Sequence, residues 1–544
     1  MKLVLLCLLS LSSFLLGQEL NSDTLKHPPS DTWPTYNGDY SGRRNSPLTQ
    51  IDSSNVAELG LQWIYRASNS GLSGFAGSIK STPLLVKGVL YFTMPDNVWA
   101  VDARTGSEIW HYKYPDNPGV HIGSRGVGMY GDWLYFESPD CNLISLDARD
   151  GKERWRKTIA DVKAEYFCTM APLVVGNRII VGVGGDSLDN PGFLEARDPE
   201  TGDAQWRWET EPLPGEPGSE TWPNQEAMRH GGGMTWMPGT YDPHLNLLYW
   251  TTGNPNPVHA GDARKGDNLW TCSIVALNPD TGKLVWAFQP SPHDTHDWDA
   301  VQTPILFDGE WNGEHRKMLA QASRNGYFFV LDRTTGKNLL TAPFMANNWS
   351  KGVDAQGRPI PNPSKEPKRD GTLVSPSSNG ATNWFAPAYD PSKGLFYVNA
   401  SQNYSVFYYT AEGKPEGYAG RDDFLTFSSV IEAIDYRTGK IQWRHDISSA
   451  GAMSFGGLLS TRAGLLFAGD TSGNLLAMDS TNGKTLWHAR VGQNTTNGAI
   501  TYTLDGQQYV LFGAGDSLFC FALPMRTAAG SPKSGLPPVE PTRR

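Results

Sequence analysis

Charge is scarce in this chain of 544 residues: 19% of them are charged, the formal net charge is −10, and no run of lysine or arginine builds a basic face. A nucleic-acid partner, which such a face would have to hold by its phosphates, is excluded. Cysteine is scarcer, five in all. Cys7 falls in an apolar leader, and Cys141, Cys168, Cys272 and Cys520 are isolated singletons. None belongs to a Cys-x-x-Cys-His sequence, which excludes a haem attached covalently to this chain, and none has the paired spacing of a zinc site. Buried free thiols are the expectation for all four. Apolar runs long enough to cross a bilayer are missing too. The stretch from Leu3 to Leu16, behind Lys2, is too short for that and has the layout of a secretory signal peptide. Residues 1–17 are read as that signal, and the mature chain as periplasmic or secreted, with no membrane span.

What is abundant points elsewhere. The chain holds 58 glycines, 38 prolines and 19 tryptophans, a composition for many turns and for repeated stacking of large aromatics. A phrase recurs: an apolar residue, Asp or Asn, two or three residues, Thr-Gly or a variant, three residues, then Trp. It ends at Trp110, Trp155, Trp206, Trp286, Trp443 and Trp487, and a copy ending at Leu340 puts leucine in the tryptophan's place. The acidic residue closes a strand, the glycine allows a tight turn, and the next strand carries the Trp to a fixed position against its neighbour. Most copies follow a further hairpin, such as Pro83–Thr93, which makes four strands per unit. Trp63 lacks its own preceding hairpin, while residues 508–521 supply strands without a final Trp. Joined, the two ends complete a ring. The sequence thus predicts an all-β fold, an eight-bladed β-propeller with tryptophan-docking repeats over residues 33–523, with seven blades as the alternative count. Insertions between Trp206 and Trp286 and between Leu340 and Trp443 are expected as loops on one face. Residues 524–544, rich in Pro, Ser and charge, are read as a disordered tail.

Several local sequences are more specific: Gly231–Trp236, Tyr241-Asp-Pro followed by Leu247–Pro255, the run Pro292–Asp299, Arg324–Arg333 and Asn383-Trp384. With the docking phrase they resemble the quinoprotein alcohol dehydrogenases, which use pyrroloquinoline quinone (PQQ), over nearly the whole mature chain. The resemblance implies a flat, polyanionic quinone on the propeller axis beside a calcium or lanthanide ion. It makes Trp236 the stacking floor, Asp297 the general base toward an alcohol, and Arg324 the charge facing the quinone oxygens. Arg125, Thr169 and Asn383 would hold the cofactor's carboxylates and carbonyls, and Asn254, Asp297, Asp299 and Asp186 would be metal ligands. With no haem on the chain, electrons would pass to an external cytochrome c.

The residues also admit plainer roles: Trp236 as one more packing tryptophan, Asp297 and Asp299 as solvated turn acids, Asn254 as a turn residue, Arg324 as a structural ion pair, and His293 with His296 as a metal pair. The chain also departs from the family pattern. Lys80 stands where a glutamate is usual, Ser187 fills the slot of a metal-binding glutamate with Asp186 one residue early, Phe455 replaces a tryptophan, and the adjacent cysteine pair before Arg125 and the late Gly-Trp pair are absent. The alternative function is a cofactor-free propeller that binds a protein or a carbohydrate.

Overall fold

A computed structural model describes residues 20–524, apart from 69, 74–75, 186–188, 411–415, 448–455 and 471. The signal at 1–17 and the tail beyond residue 524 lie outside the described residues, as do Asp186, Ser187 and Phe455.

The apolar–turn–Trp phrase folds as the sequence predicts. Blade 1 comprises Leu84–Val86, Val89–Met94, Asn97–Asp102 and Glu108–Lys113, paired antiparallel in that order. Its three inner strands are almost wholly buried, whereas the outermost is exposed or half-buried except at Trp110. Seven further sheets of at least four strands follow around the ring. The innermost strands of blades 2 to 8 are Gly128–Tyr130, Leu173–Val175, Thr240–Asp242, Ile305–Trp311, Ala388–Asp390, Leu459–Thr461 and Ile500–Leu504. The last blade is closed by the start of the chain: Gly60–Arg66 pairs antiparallel with Ser517–Ala522.

Each docking tryptophan reaches into the following blade. The indole N–H of Trp63 donates to Ala103 O (3.2 Å), Trp110 to Ala148 O (3.0 Å), Trp286 to Arg333 O (3.1 Å), and Trp487 to Leu59 O (3.3 Å) across the closure. For Trp63, Trp110 and Trp286 the ring lies on the turn glycine of that blade, Gly106, Gly151 and Gly336. Gly336 has φ +74°, and a Cβ there would come within 2.6 Å of Trp286 Cε3, so this turn needs glycine both for its conformation and for the close approach. Leu340 keeps the place without the indole bond, against Gly439. Cys141, Cys168, Cys272 and Cys520 are all buried and free, as expected.

The segment before blade 1 crosses the axis. Tyr36 packs with Ala171, Met237, Val301, Trp384 and Trp236, and thereby plugs the centre of the ring. The buried Arg44 guanidinium holds the segment by donating to Tyr36 O, Leu458 O and Ala499 O. The two predicted insertions are not simple loops. The second contains a short ribbon, Ser350–Val353 with Pro359–Pro361. Two strands of blade 6, Leu395–Tyr409 and Gly420–Asp435, extend far beyond their neighbours as a long antiparallel ribbon. The ribbon meets the first insertion, where Val258 N donates to Gly417 O (2.8 Å) and His259 N to Tyr418 O (2.9 Å).

Candidate active site

The residues leading into the innermost strands converge at one end of the axis. Lys80 precedes blade 1, Arg125 blade 2, Phe167 and Thr169 blade 3, Trp236 blade 4, Asp297 and Asp299 blade 5, and Asn383 and Trp384 blade 6. Together with Ile122, Gly123, Arg324 and Tyr418 they line one cavity of about 220 Å³. Arg324 enters from the turn between the second and third strands of blade 5, and Tyr418 from the long ribbon.

Two carboxylates and one guanidinium form the charged wall. Arg324 Nη1 donates to Asp299 Oδ2 at 2.8 Å, and Nη2 lies 3.5 Å from Asp297 Oδ2. Burial works against the Arg324 charge, but Asp297 and Asp299 outweigh it and the guanidinium is held firmly protonated. Asp299 also accepts from Asn254 N (2.7 Å) and Trp236 Nε1 (3.2 Å), which fixes the indole. The Asn254 amide is fully buried behind this pair. With its nitrogen turned toward them, it donates to Asp297 Oδ1 (3.1 Å) and Asp299 Oδ1 (2.9 Å); turned the other way, its oxygen would join theirs around a cation. Asp297 sits at φ +67°, a left-handed conformation that Asp tolerates better than most residues and that aims a side chain at a site.

The loop carrying Asp297 is braced from below. Asp294 accepts from Trp298 N (3.1 Å) and His296 N (3.4 Å). Burial pushes its carboxyl up to about 6, against those donors and Arg264. His293 Nδ1 pairs with Gly266 O, while His296 Nε2 pairs with Lys365 O and its ring stacks on Trp298 at 4.4 Å. Both imidazoles are thus engaged in fixing the loop.

On the facing wall the Arg125 guanidinium donates to Thr169 Oγ1 and stands 4.5 Å from the Trp236 ring centre and 4.9 Å from that of Trp384. Burial lowers it to about 10, opposed by Tyr36 and Glu137.

Of the residues singled out from sequence, Arg125, Thr169, Trp236, Asp297, Asp299, Arg324 and Asn383 share the cavity, Asn254 supports it, and Asp186 lies outside the described residues. Ile122, Phe167 and Tyr418 were not foreseen. Phe167 had a signal, since it stands two residues before Thr169 in a segment feeding an inner strand. Tyr418 had none, because the ribbon that delivers it breaks the repeat.

The lining tests what could fill the space. Among the described lining residues, Trp236, Trp384 and Phe167 offer aromatic surface, and three basic side chains, Lys80, Arg125 and Arg324, outnumber two carboxylates. The Nε atoms of Arg125 and Arg324 are buried with no hydrogen-bond partner among the described residues. Donors orphaned in a cavity suit a ligand rich in anionic oxygens, and a flat polyanion fits. For a cation the chain offers the oxygens of Asn254, Asp297 and Asp299. No group of three His, Cys, Asp or Glu side chains converges on a metal position among the described residues; Asp186, the fourth ligand expected from sequence, lies outside them, and these three donors alone do not complete the six to eight oxygens of a hard cation.

A family model described as the glucose/ethanol/alcohol dehydrogenase β-propeller domain, PQQ type, matches residues 33–347, and one described as outer membrane protein assembly factor BamB matches 271–522. The quinoprotein alcohol dehydrogenase PedH of Pseudomonas putida is 34% identical over 90% of this chain and 87% of its own length. The 1-butanol dehydrogenase (cytochrome c) of Thauera butanivorans is 33% identical over 89% and 74%. Among solved structures, quinohemoprotein alcohol dehydrogenase ADHIIG of Pseudomonas putida HK5 superposes with a TM-score of 0.87 at 30% identity, over 97% of this chain and 84% of that one. A europium-containing methanol dehydrogenase gives 0.81 at 28% identity, over 92% and 100%.

Proposed function

Because this chain belongs to the family of PQQ-dependent alcohol dehydrogenases built on a β-propeller, we propose that it oxidises an alcohol or polyol in the axial cavity, with PQQ held against Trp236. The observation that carries this reading is the convergence of Trp236, Asp297 and Arg324 on a cavity where two guanidinium Nε atoms lack an acceptor among the described residues.

Bound PQQ supplies the two-electron acceptor for the hydride that leaves the alcohol carbon. The chain's own residues do the rest. Trp236 offers the flat apolar face, its tilt set by the bond to Asp299. Arg125, Thr169 and Asn383 present donors to the rim of the cofactor, and Arg324 places fixed positive charge where reduction builds negative charge. Asp297 accepts the hydroxyl proton, with the Arg324 guanidinium 3.5 Å away. Tyr36 stops water from entering through the far side of the ring.

Asn254, Asp297, Asp299 and Asp186 are the protein donors to a calcium or lanthanide ion, with Asp186 one residue before the slot where Ser187 replaces the family's glutamate. Support for the lanthanide comes from Asp299, which matches the extra carboxylate of the lanthanide-using branch of the family that the sequence resembles, and from the europium-containing neighbour. The chain is exported by residues 1–17 and gives its electrons to a separate cytochrome c. That reading rests on the absence of a Cys-x-x-Cys-His sequence and on the acceptor in the name of the Thauera relative. No helix among the described residues is long and apolar enough to cross a membrane.

The test is a titration of the purified mature chain with PQQ plus calcium and, separately, plus a light lanthanide, followed by quinone absorbance and thermal shift. Saturable binding near one per chain, lost with Trp236→Ala, supports the reading and licenses an alcohol screen with an artificial acceptor. A cooperatively melting protein that takes up PQQ with neither ion overturns it, in favour of a propeller that binds another partner.

A further inference from the structure

The long ribbon of blade 6 does more than deliver Tyr418. Asp422, on its second strand, lies directly opposite Phe407 on its first. The Asp422 carboxylate takes two bonds from a single residue: Ser378 N donates to Oδ2 (3.3 Å) and Ser378 Oγ to Oδ1 (3.0 Å). Ser378 belongs to the segment that leads through Asn383 into the innermost strand of blade 6.

Two carbonyls of this segment grip the site. Ser377 O accepts from Trp298 Nε1 at 2.8 Å, and Ser378 O accepts from Arg324 Nη2. Trp298 stands between Asp297 and Asp299 in the chain, and Arg324 is the guanidinium that meets both acids. The peptide joining Ser377 to Ser378 thus carries Asp422 on its N–H and Trp298 on its C=O, an arrangement in which each bond polarises the other. Phe407, the cross-strand partner of Asp422, is fully buried and meets the His296 ring edge-on at 4.8 Å, one residue before Asp297. One rung of the ribbon therefore reaches the loop of Asp297 at two points, through His296 and through Ser378.

We infer that Asp422 is a positioning residue for the alcohol oxidation. By clamping Ser378 it sets Trp298 and Arg324, and through them the orientation of Asp297 toward the reacting hydroxyl. It acts at one remove, since it is not itself among the described residues that line the cavity. The inference rests on the reading of that cavity as a PQQ-dependent site and deepens it.

The experiment compares the wild type with Asp422→Ala, Asp422→Asn and Asp423→Ala, each loaded with PQQ and the ion that supports its uptake. Turnover of a short-chain primary alcohol with an artificial acceptor gives kcat and KM, quinone absorbance gives the PQQ Kd, and melting curves establish that each variant is folded at the assay temperature. An asparagine can still accept from Ser378 N and donate to Ser378 Oγ, whereas alanine keeps neither contact. Asp423, the next residue, is exposed and pairs with Arg421 at 3.4 Å, so it reports on the ribbon without the clamp. In Asp422→Ala, kcat should fall at least about tenfold, because a displacement of well under 1 Å is enough for such a loss. KM and the PQQ Kd should stay within about threefold of wild type, the signature of an interaction that matters in the transition state. Asp422→Asn and Asp423→Ala should keep kcat within about threefold of wild type. Asp422→Leu, similar in shape but without an acceptor, is read in the same way if the alanine variant does not fold. Equal kcat in Asp422→Ala and Asp423→Ala overturns the inference, as does a loss that asparagine fails to restore; both leave the PQQ site standing. A wild type that takes up no PQQ, or takes it up and oxidises no alcohol, overturns the inference together with the reading beneath it.

Discussion

Arg324 and Asp299 meet as a buried ion pair, Nη1 to Oδ2 at 2.8 Å, with side chains only 8% and 4% exposed. Removing Asp299 leaves the buried guanidinium only its longer carboxylate contact, to Asp297 at 3.5 Å. Asp299→Ala is therefore expected to destabilise the cofactor-free chain by about 3–5 kcal/mol, and the double variant Asp299→Ala/Arg324→Met to recover part of that loss. Chemical denaturation measures both. An Asp299→Ala protein that unfolds where the wild type does would show the pair to be energetically idle.

Asp297 separates chemistry from binding. Asp297→Asn keeps the shape of the side chain but not its basicity, so turnover with an artificial acceptor should fall by about 10²–10⁴-fold, while PQQ uptake stays within tenfold. Turnover unchanged to within threefold would remove Asp297 from the role of base.

The Asp294 carboxyl carries a pH signature. Its folded-state value of about 6 lies above the ordinary 3.8, so between those values the folded chain binds the proton more tightly than the unfolded one. The resulting stability is complete below about pH 4 and is lost as pH rises through 6. Asp294→Asn, neutral throughout, should cost a constant amount for its lost backbone acceptor. It should then gain on the wild type from pH 4 to 7 in melting temperature; a flat difference across that range contradicts the assignment.

The docking turns should be intolerant of a methyl group. At Gly336 a Cβ meets both the positive φ and the Trp286 ring, and Gly336→Ala is expected to cost about 2–4 kcal/mol from strain and overpacking together. Gly313, also at positive φ but with nothing near its Cβ position, should lose only the conformational part, about 1–2 kcal/mol. Equal losses at the two positions would refute the docking argument.

The ring could be read from the sequence because each blade repeats one local device, an acidic strand end, a turn glycine and a tryptophan at fixed spacing, and local spacing survives without coordinates. Even Leu340, which breaks the device, keeps the turn. The candidate site was legible at Trp236, Asp297 and Arg324 because their flanking sequences are dense and distinctive. Their partnership was not, since Arg324 arrives from a strand turn and Asp299 from a loop, and only folding sets them 2.8 Å apart. Tyr418 was hidden for a different reason: the ribbon holding it has no counterpart in the other blades, so no periodicity pointed to it.

The strand Gly60–Arg66 closes the ring against Ser517–Ala522, and nearly the whole polypeptide separates these partners. The entropy of joining such distant segments grows only with the logarithm of the intervening length, so the finished ring loses little stability by it. The cost falls on time instead. The final seam is a contact of very high sequence separation, the kind that slows folding, and seven blades wait on it with an open edge. By the same logic, unzipping this one pair is the first event through which the circle can come apart, so a cross-link there would lengthen the lifetime of the native state more than its equilibrium stability.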